Sequence, residues 1–444
     1  MKALQQNLYL KVLVIVIIIL ILFIPTLMIQ GLISEREQTQ SIAINEVSSK
    51  WGNAQTISGP FISIPYYRFV KEISPKDSTE KIVQVKEYLH ILPSKLDISG
   101  QINPEKRTRG IYEVVVYDSK LELSGTFDSI DLALLDINPK NVLFDKAEFV
   151  VGISDLRGLE KQVDLFWDND TLSFNPGVSA NDVVNSGMNA LLALSPNKLN
   201  GSSFHFSLNL KGSQLLYFTP VGKETDINIV SEWPNPSFNG AFLPDSREVT
   251  EKGFKANWNV LHLNRNFPQM WTGNRYYIDN DSFGIDLLVP VDNYQKSYRS
   301  VRYAILFIVS TFLVFFFIEI LRKVFIHPIQ YALVGISLVV FYTLLLSISE
   351  HLNFNGAFLI SAVATLLLIA GYVKAILKSW QLTFMISGII ALLYALIFII
   401  IQLQDYALLI GSIAIFLILV AIMYFSRKID WYHLNLKNKS DENL

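Results

Sequence analysis

The sequence predicts an α+β membrane protein, with six transmembrane helices, one N-terminal and five C-terminal, around a large β-rich extracytoplasmic domain, antiparallel and sandwich-like. Three observations lead to that class. Residues 303–425 are almost continuously apolar, broken only by short polar joints. A second apolar run, 12–29, follows Lys2 and Lys11 near the amino terminus. Between the two, 31–300 is rich in short alternating stretches separated by Gly, Pro, Asn and Asp, the pattern of many short strands.

Composition narrows the chemistry. Of 444 residues, 51% are hydrophobic and 17% charged, against about 25% charged in soluble domains. The net charge is −2 and no basic tract interleaves with aromatics, so a nucleic-acid partner is set aside. Cysteine is absent, which excludes disulfides, thiolate catalysis, iron–sulfur clusters and Cys-ligated zinc. No cofactor is implied.

Taken in order, residues 1–30 form the N-terminal anchor. The 12–29 run exceeds the about 7–15 residues of a signal-peptide core, and Leu27-Met28-Ile29-Gln30 offers no small-x-small cleavage site. Retention in the membrane is therefore expected. Residues 31–300 form the extracytoplasmic domain, and 31–50 can continue as helix beyond the anchor. Strands are expected at 61–64, 113–117, 120–127, 149–153, 162–167, 204–210, 215–218, 227–233, 254–260 and 283–289. A turn is expected at Asp118-Ser119, and 180–194 reads as the main helical exception. One polar face per strand favours antiparallel pairing.

Residues 301–426 form a five-helix bundle, with spans at 303–321, 329–349, 355–373, 382–401 and 406–425. Each is close to the about 20 residues that cross a bilayer as helix, and hydrocarbon leaves a spanning segment no other way to satisfy its backbone. Lys2 and Lys11, Arg322 and Lys323, Lys374 and Lys378, and Arg427 and Lys428 alternate with joints at 350–355 and 402–405 that lack Lys and Arg. The positive-inside rule then places both termini and the 427–444 tail in the cytoplasm. Lys296, Arg299 and Arg302 run against it, on the outer side of the second span. Tyr303, Tyr331, Tyr372, Trp380, Tyr406, Tyr424 and Trp431 lie at expected interfaces, where amphipathic rings settle.

Several stretches resemble one family. They are Ile57-Ser-Gly-Pro-Phe-Ile-Ser-Ile-Pro65, Leu92-Pro93 with Arg109-Gly-Ile-Tyr112, and Ser231-Glu-Trp-Pro-Asn-Pro-Ser-Phe238 with Phe242-Leu-Pro244. More specific are Gln330-Tyr-Ala-Leu-Val-Gly-Ile-Ser-Leu-Val-Val-Phe-Tyr342 and Ser349-Glu-His351, and Ile429-Asp-Trp-Tyr432 closes the chain. In this order they resemble the CreD family of bacterial inner-membrane proteins associated with cell-envelope integrity. The resemblance implies an inner-membrane location and a regulon tied to an envelope or nutrient-sensing two-component system. It brings no catalytic motif.

Motif chemistry is sparse. The six histidines show no H-E-x-x-H and no i, i+4 pair, and neither G-x-S-x-G nor a nucleotide-binding glycine loop occurs. No catalytic residue and no metal ligand is assigned. Glu319 lies inside a span near its cytoplasmic end. Intramembrane charge is often functional, but Arg322 and Lys323 fall on the same helix face, so an interfacial ion pair is the plainer reading beside a relay or binding role. Glu350 and His351 end the next span as a solvated helix end or a proton-sensitive contact. In the proline-rich stretch 231–247, Trp233, Phe238 and Phe242 either fasten the loop to the core or bind a partner. Small residues Gly335, Ser337, Ser347 and Ser349 read as helix packing.

The resemblance and the missing catalytic spacing point to a non-enzymatic inner-membrane protein that supports envelope integrity or stress adaptation through its extracytoplasmic domain. Its expected partners are the lipid bilayer and an envelope protein, lipid or glycan. A transporter or lipid-handling protein is the alternative.

Overall fold

A computed structural model describes residues 8–73, 80–129, 132–195, 201–287, 293–322, 324–403 and 406–427. The chain divides into two compact units, Met1–Ser41 with Val291–Leu444, and Ile42–Pro290. Among the described residues, six helices are long and apolar enough to cross a membrane. Lys2, Lys323, Lys428, Trp431 and the 429–432 motif lie outside those residues.

The first helix, α1, runs Leu8–Trp51 without interruption despite Pro25. Its length far exceeds the about 20 residues that a bilayer requires. Within the first unit its buried positions form a narrow stripe of Lys11, Ile15, Leu22, Thr26, Ile29 and Ile33. Steps of four, seven, four, three and four residues keep these positions on one face, the seam geometry of packed helices. After the β-rich unit come α2 (Asn293–Arg302), α3 (Ala304–Arg322), α4 (Pro328–Ser349), α5 (Phe354–Leu377), α6 (Trp380–Gln402) and α7 (Ala407–Ser426).

The polar joints set the helix ends. Pro328 opens α4, where a missing N–H costs nothing. Before it, His327 Nδ1 accepts from the Ile329 N–H at 3.3 Å and Gln330 Oε1 accepts from the His327 N–H at 2.9 Å. Asn353 caps α5 by accepting from the Gly356 N–H at 2.8 Å. Lys378 ends the same helix in the left-handed region, with φ 46°. The α3–α6 core is aromatic: the Tyr394 ring lies 4.5 Å from Phe307 and 4.7 Å from Phe341, centre to centre. Gly335 on α4 permits a close approach, since a Cβ there would collide with Leu22 and come within 2.9 Å of Phe312. The last helix is peripheral, with Ala414 its one buried residue.

The helix α2 is not anticipated by hydropathy. Its buried Tyr294, Ser297 and Val301 fall at helical spacing, but a ten-residue segment with three cations carries no span signal. Tyr331 also departs from expectation. It is fully buried, not at a lipid interface, because its hydroxyl serves a buried carboxylate described below.

Among the described residues the second unit holds seventeen strands: β1 (Gln55–Ile73), β2 (Glu80–Ile91), β3 (Lys95–Arg109), β4 (Tyr112–Phe127), β5 (Ala147–Ile153), β6 (Asp164–Trp167), β7 (Asp170–Ser173), β8 (Asn175–Pro176), β9 (Gly187–Leu192), β10 (Ser202–Ser213), β11 (Leu215–Thr219), β12 (Glu224–Ser231), β13 (Pro236–Gly240), β14 (Ser246–Thr250), β15 (Gly253–Leu261), β16 (Met270–Thr272) and β17 (Phe283–Leu287). They form two sheets. One is nine-stranded along β13-β17-β11-β1-β5-β9-β8, with β2 also on β1 and β16 on β2. The other is eight-stranded, β14-β15-β12-β3-β4-β10-β6-β7. Pairing is antiparallel except for β1 with β11 and β3 with β12. One hydrophobic cluster draws on both sheets, from Phe61, Phe149 and Phe218 of the first to Tyr117, Phe206 and Trp258 of the second. This is the sandwich-like arrangement that alternation implies.

Two local expectations are corrected. Asp118-Ser119 is not a turn: β4 runs straight through it, opposite Asn103 and Ile102. Asn103 Nδ2 donates to Asp118 at 2.9 Å, and the Ser119 hydroxyl donates to the Leu210 carbonyl at 2.8 Å. Cross-strand partners satisfy polar groups that would otherwise favour a bend. The turn sits at Gly110-Ile111, where Gly110 has φ 63°. Residues 180–194 are not helical either. Met188, Ala190 and Leu192 point inward on β9 in period two, and sheet burial overrides helix-forming composition.

The carboxyl end of α1, within the second unit, is fastened by polar bonds. Trp51 Nε1 donates to the Tyr117 carbonyl at 3.1 Å, beneath the Arg107 guanidinium 3.9 Å from its ring. Buried Asp155 accepts from the Asn53 N–H at 3.0 Å and twice from the Arg157 guanidinium at 2.9 Å. That guanidinium also donates to the Ser49 carbonyl at 2.9 Å. The Arg157 guanidinium beside Asp155, helped by backbone N–H donors, holds its carboxyl below the usual carboxylate range.

This anchorage has a pH signature. The full-length protein should exceed Asp155→Asn in stability by about 1.5–3 kcal/mol at neutral pH, the scale of hydrogen bonds to a charged group. A depressed folded value means the margin is complete above the unfolded carboxylate pKa of about 3.9 and is lost as pH falls through the lower folded value. Thermal midpoints of the two proteins should keep their full separation above about pH 4 and draw together only below it.

Candidate functional site

Two ion pairs of the helical unit lie at two levels along α1. At the first, Glu319 of α3 is paired with Lys11 of α1. The carboxylate also accepts from the Tyr331 hydroxyl at 3.0 Å and the Ile326 N–H at 3.2 Å. Lys11 Nζ donates further to the Ile326 carbonyl at 3.0 Å and stands 4.5 Å from the centre of the Phe325 ring. Side-chain exposure is 8% for Lys11 and 11% for Glu319, so both charges are withdrawn from their surroundings.

Spacing along α3 nominates Arg322 and Lys323; Lys323 lies outside the described residues, Arg322 is exposed, and Glu319 turns inward to Lys11. A carboxylate inside a helix bundle goes where several donors converge. Three elements converge here: α1, the amino end of α4 and the backbone before it. The apolar neighbourhood of Lys11 signals a span, while its partner lies beyond any local pattern, 308 residues away in sequence.

The second level lies at the other end of the α1 apolar run. Arg36 Nε stands 3.6 Å from Glu350, and the Tyr294 hydroxyl donates to the same carboxylate at 3.3 Å. Asn293 Nδ2 donates to the Ser349 carbonyl at 2.7 Å, ending α4. His351 is exposed, and its N–H donates to the Ile348 carbonyl at 3.1 Å in the last turn. About 37 Å of helix separates Lys11 from Arg36 at about 1.5 Å per residue. That span exceeds the about 30 Å of hydrocarbon and stays within the about 40–45 Å that includes headgroups. The two pairs differ in weight. Arg36 is 46% exposed, where a pair contributes about 0–1 kcal/mol, whereas the inner pair is buried.

In the β-rich unit the aromatic candidates pack inward. Trp233 is buried and its Nε1 donates to the Asn235 carbonyl at 3.1 Å. Phe238 sits on β13 with its ring 5.7 Å from Phe254 and 5.8 Å from Trp258. Phe242 meets Phe283 edge-on at 5.4 Å. Trp233 and Phe238 lie in the hydrophobic cluster and Phe242 packs against it, and part of the expected extended loop is strand.

One polar row had no sequence signal. Ser63 and His90 face each other across β1 and β2, with Oγ and Nδ1 3.3 Å apart. Asp182 lies 3.5 Å from Nε2 on the far side of the ring. The residue types are those of a hydrolytic triad, but Ser63 is 3% exposed and His90 fully buried. The imidazole is enclosed by Phe61 and Trp271, 5.9 and 5.5 Å away. A nucleophile needs an open approach to its oxygen, and this serine has none in the arrangement described.

Comparison with known proteins agrees with the architecture. A family model described as inner membrane protein CreD matches residues 7–432. The chain is similar to inner membrane protein CreD of Escherichia coli strain K12, with 32% identity over 424 residues, 94% of this chain and 92% of that protein. Among solved structures, an M1 zinc metallopeptidase from Deinococcus radiodurans overlaps 38% of each chain at 9% identity with a TM-score of 0.18, a likeness too low to bear on fold or chemistry.

Removing one partner of the buried pair should cost far more than removing both. Lys11→Met leaves Glu319 uncompensated, at about 3–5 kcal/mol. Lys11→Met with Glu319→Leu should recover most of that loss. Thermal denaturation of the full-length proteins in one detergent compares them, and a double variant no better than the single would show that the charges do not act as a pair.

Proposed function

The chain belongs to the CreD family of inner membrane proteins, and from that premise we propose that it is a non-enzymatic protein of the envelope. On this reading it supports cell-envelope integrity or stress adaptation through the 42–290 unit, held on the periplasmic side. Both termini face the cytoplasm. The observation that carries the reading is a folded two-sheet unit inserted between one span and five others. Lys and Arg in the short joints favour the orientation: Arg322, Lys374 and Arg427 mark one side, and 350–355 has neither residue type. Contact with an envelope protein, lipid or glycan is the activity that this architecture supports.

The transport alternative has less support. A charged residue on a substrate path keeps a face open to water or cargo. Glu319 instead accepts from a lysine, a tyrosine and a backbone N–H, the enclosure of a helix anchor.

The absence of cysteine makes the orientation directly measurable. Single cysteines replacing the exposed Leu263 and Tyr277 should react with a membrane-impermeant maleimide in cells whose outer membrane alone is permeabilised. A cysteine at Arg427 should react only after the inner membrane is opened, and the reverse pattern would refute the orientation.

Deletion tests the role of the β-rich unit. A chain lacking 51–290 but retaining its helices should fail to restore envelope resistance in a strain without the protein. Full restoration by a truncated chain present at normal levels would end the proposal that this unit acts.

A further inference from the structure

A cavity of about 570 Å³ opens between α1 and α2, within the helical unit. Its walls include Leu27, Gly31, Glu37, Tyr298, Arg299 and Arg302. The volume lies in the range of small-molecule sites, about 300–1,000 Å³. The walls are graded in polarity. Leu27 belongs to the α1 apolar run, which ends at Ile29, and Glu37 lies about 15 Å further along the helix at about 1.5 Å per residue. The opposite wall is α2, which leads into the span beginning at Ala304. The cavity therefore begins where two apolar segments end and continues into the polar layer.

Its charges are specific. Two guanidiniums come from one side of α2, at residues 299 and 302, and one carboxylate comes from α1. The Arg302 guanidinium lies 5.1 Å from the Tyr298 ring centre, a contact that orients its planar donor fork. Arginine forks suit phosphate oxygens in paired hydrogen bonds. A carboxylate beside them suits an ammonium. Arg299 and Arg302 are also among the cations that depart from the positive-inside pattern, and a phosphate-bearing ligand at this depth accounts for their position.

We infer that the cavity between α1 and α2 binds the headgroup of a zwitterionic glycerophospholipid, phosphatidylethanolamine in its chemistry. Arg299 and Arg302 take the phosphate, Glu37 takes the ammonium, and the acyl chains leave past Leu27 along the α1 apolar run. In the orientation proposed above, the lipid belongs to the outer leaflet. The charge set disfavours phosphatidylglycerol, whose headgroup offers no ammonium to Glu37.

The test uses delipidated full-length protein in detergent, titrated with phosphatidylethanolamine or phosphatidylglycerol of identical acyl chains and read by native mass spectrometry. The intact chain should hold one phosphatidylethanolamine with a preference of about tenfold, a modest difference in binding free energy. Arg299→Gln with Arg302→Gln should lower occupancy by about tenfold or more, by loss of charge-assisted bonds. Glu37→Gln should bring the two lipids within about twofold of each other, since one ion contact separates them. If the arginine variant unfolds, Gly31→Leu serves instead. A Cβ at Gly31 meets nothing within 4 Å and Gly31 lines the cavity, so the larger side chain starts in open space and should displace the lipid while the bundle's thermal midpoint holds. Equal occupancy in the intact chain and Gly31→Leu would overturn the inference. So would a preference untouched by Glu37→Gln, or displacement of the lipid by inorganic phosphate at equal concentration, which would mark a free-anion site. These readouts do not depend on the orientation or on envelope function.

Discussion

Lys11 and Glu319 meet in surroundings where neither charge is tolerable alone. A packed helix interior offers little solvation, and an ion left unpaired there moves to water, changes protonation or disrupts packing. The pair avoids all three because Tyr331 and the Ile326 backbone complete its hydrogen bonds. Its consequence is geometric. A lysine early in α1 can reach a carboxylate late in α3 only if the helices take one axial register. That register brings Leu22 and Phe312 against Gly335, where no side chain intervenes. The Arg36–Glu350 contact then falls at the opposite end of the same apolar run. Charge sets where α1 stands along the bundle, and a narrow apolar stripe sets which face it presents.

The β-rich unit follows a different rule. Its core is dense and aromatic, from Phe127, Phe149 and Phe204 at one end to Phe238, Trp258 and Phe283 at the other. Without cysteine, this packing and its hydrogen bonds supply the stability that cross-links give many extracytoplasmic domains. Buried Gln55 ties two segments of the fold together by donating to the Asp155 and Lys211 carbonyls at 2.9 and 3.0 Å. The aromatic residues of 231–247 belong to that same economy of burial. The Trp233 and Phe238 rings belong to the hydrophobic cluster, and Phe242 packs against it.

Much of the architecture was legible because its signals are periodic and contiguous. Apolar blocks of bilayer length announce helices whatever their neighbours do. Strands such as β10, with Phe204, Phe206, Leu208 and Leu210 all inward, announce themselves by alternation. The strands β2, β3 and β14 escaped notice because they carry charge on exposed stretches. The region 180–194 misled because Ala and Leu composition outweighed a short period-two pattern. The polar Asp118-Ser119 pair misled because the cross-strand partners that hold it straight are invisible along the chain.

The candidate sites divide along the same line. The sequence by itself determined that Glu319 is an anomalous charge in an apolar segment, that Glu350 marks a helix end, and that the chain spans a membrane beside a β-rich unit. Those conclusions need only local composition and the inability of hydrocarbon to satisfy polar groups. Tertiary structure alone decided that Glu319 answers Lys11, that Ser63 and His90 share one buried row, and that Glu37 and two arginines of α2 line one cavity. Each of these joins residues far apart in sequence. Their approach is a property of how helices and strands pack, and a one-dimensional pattern does not encode that distance.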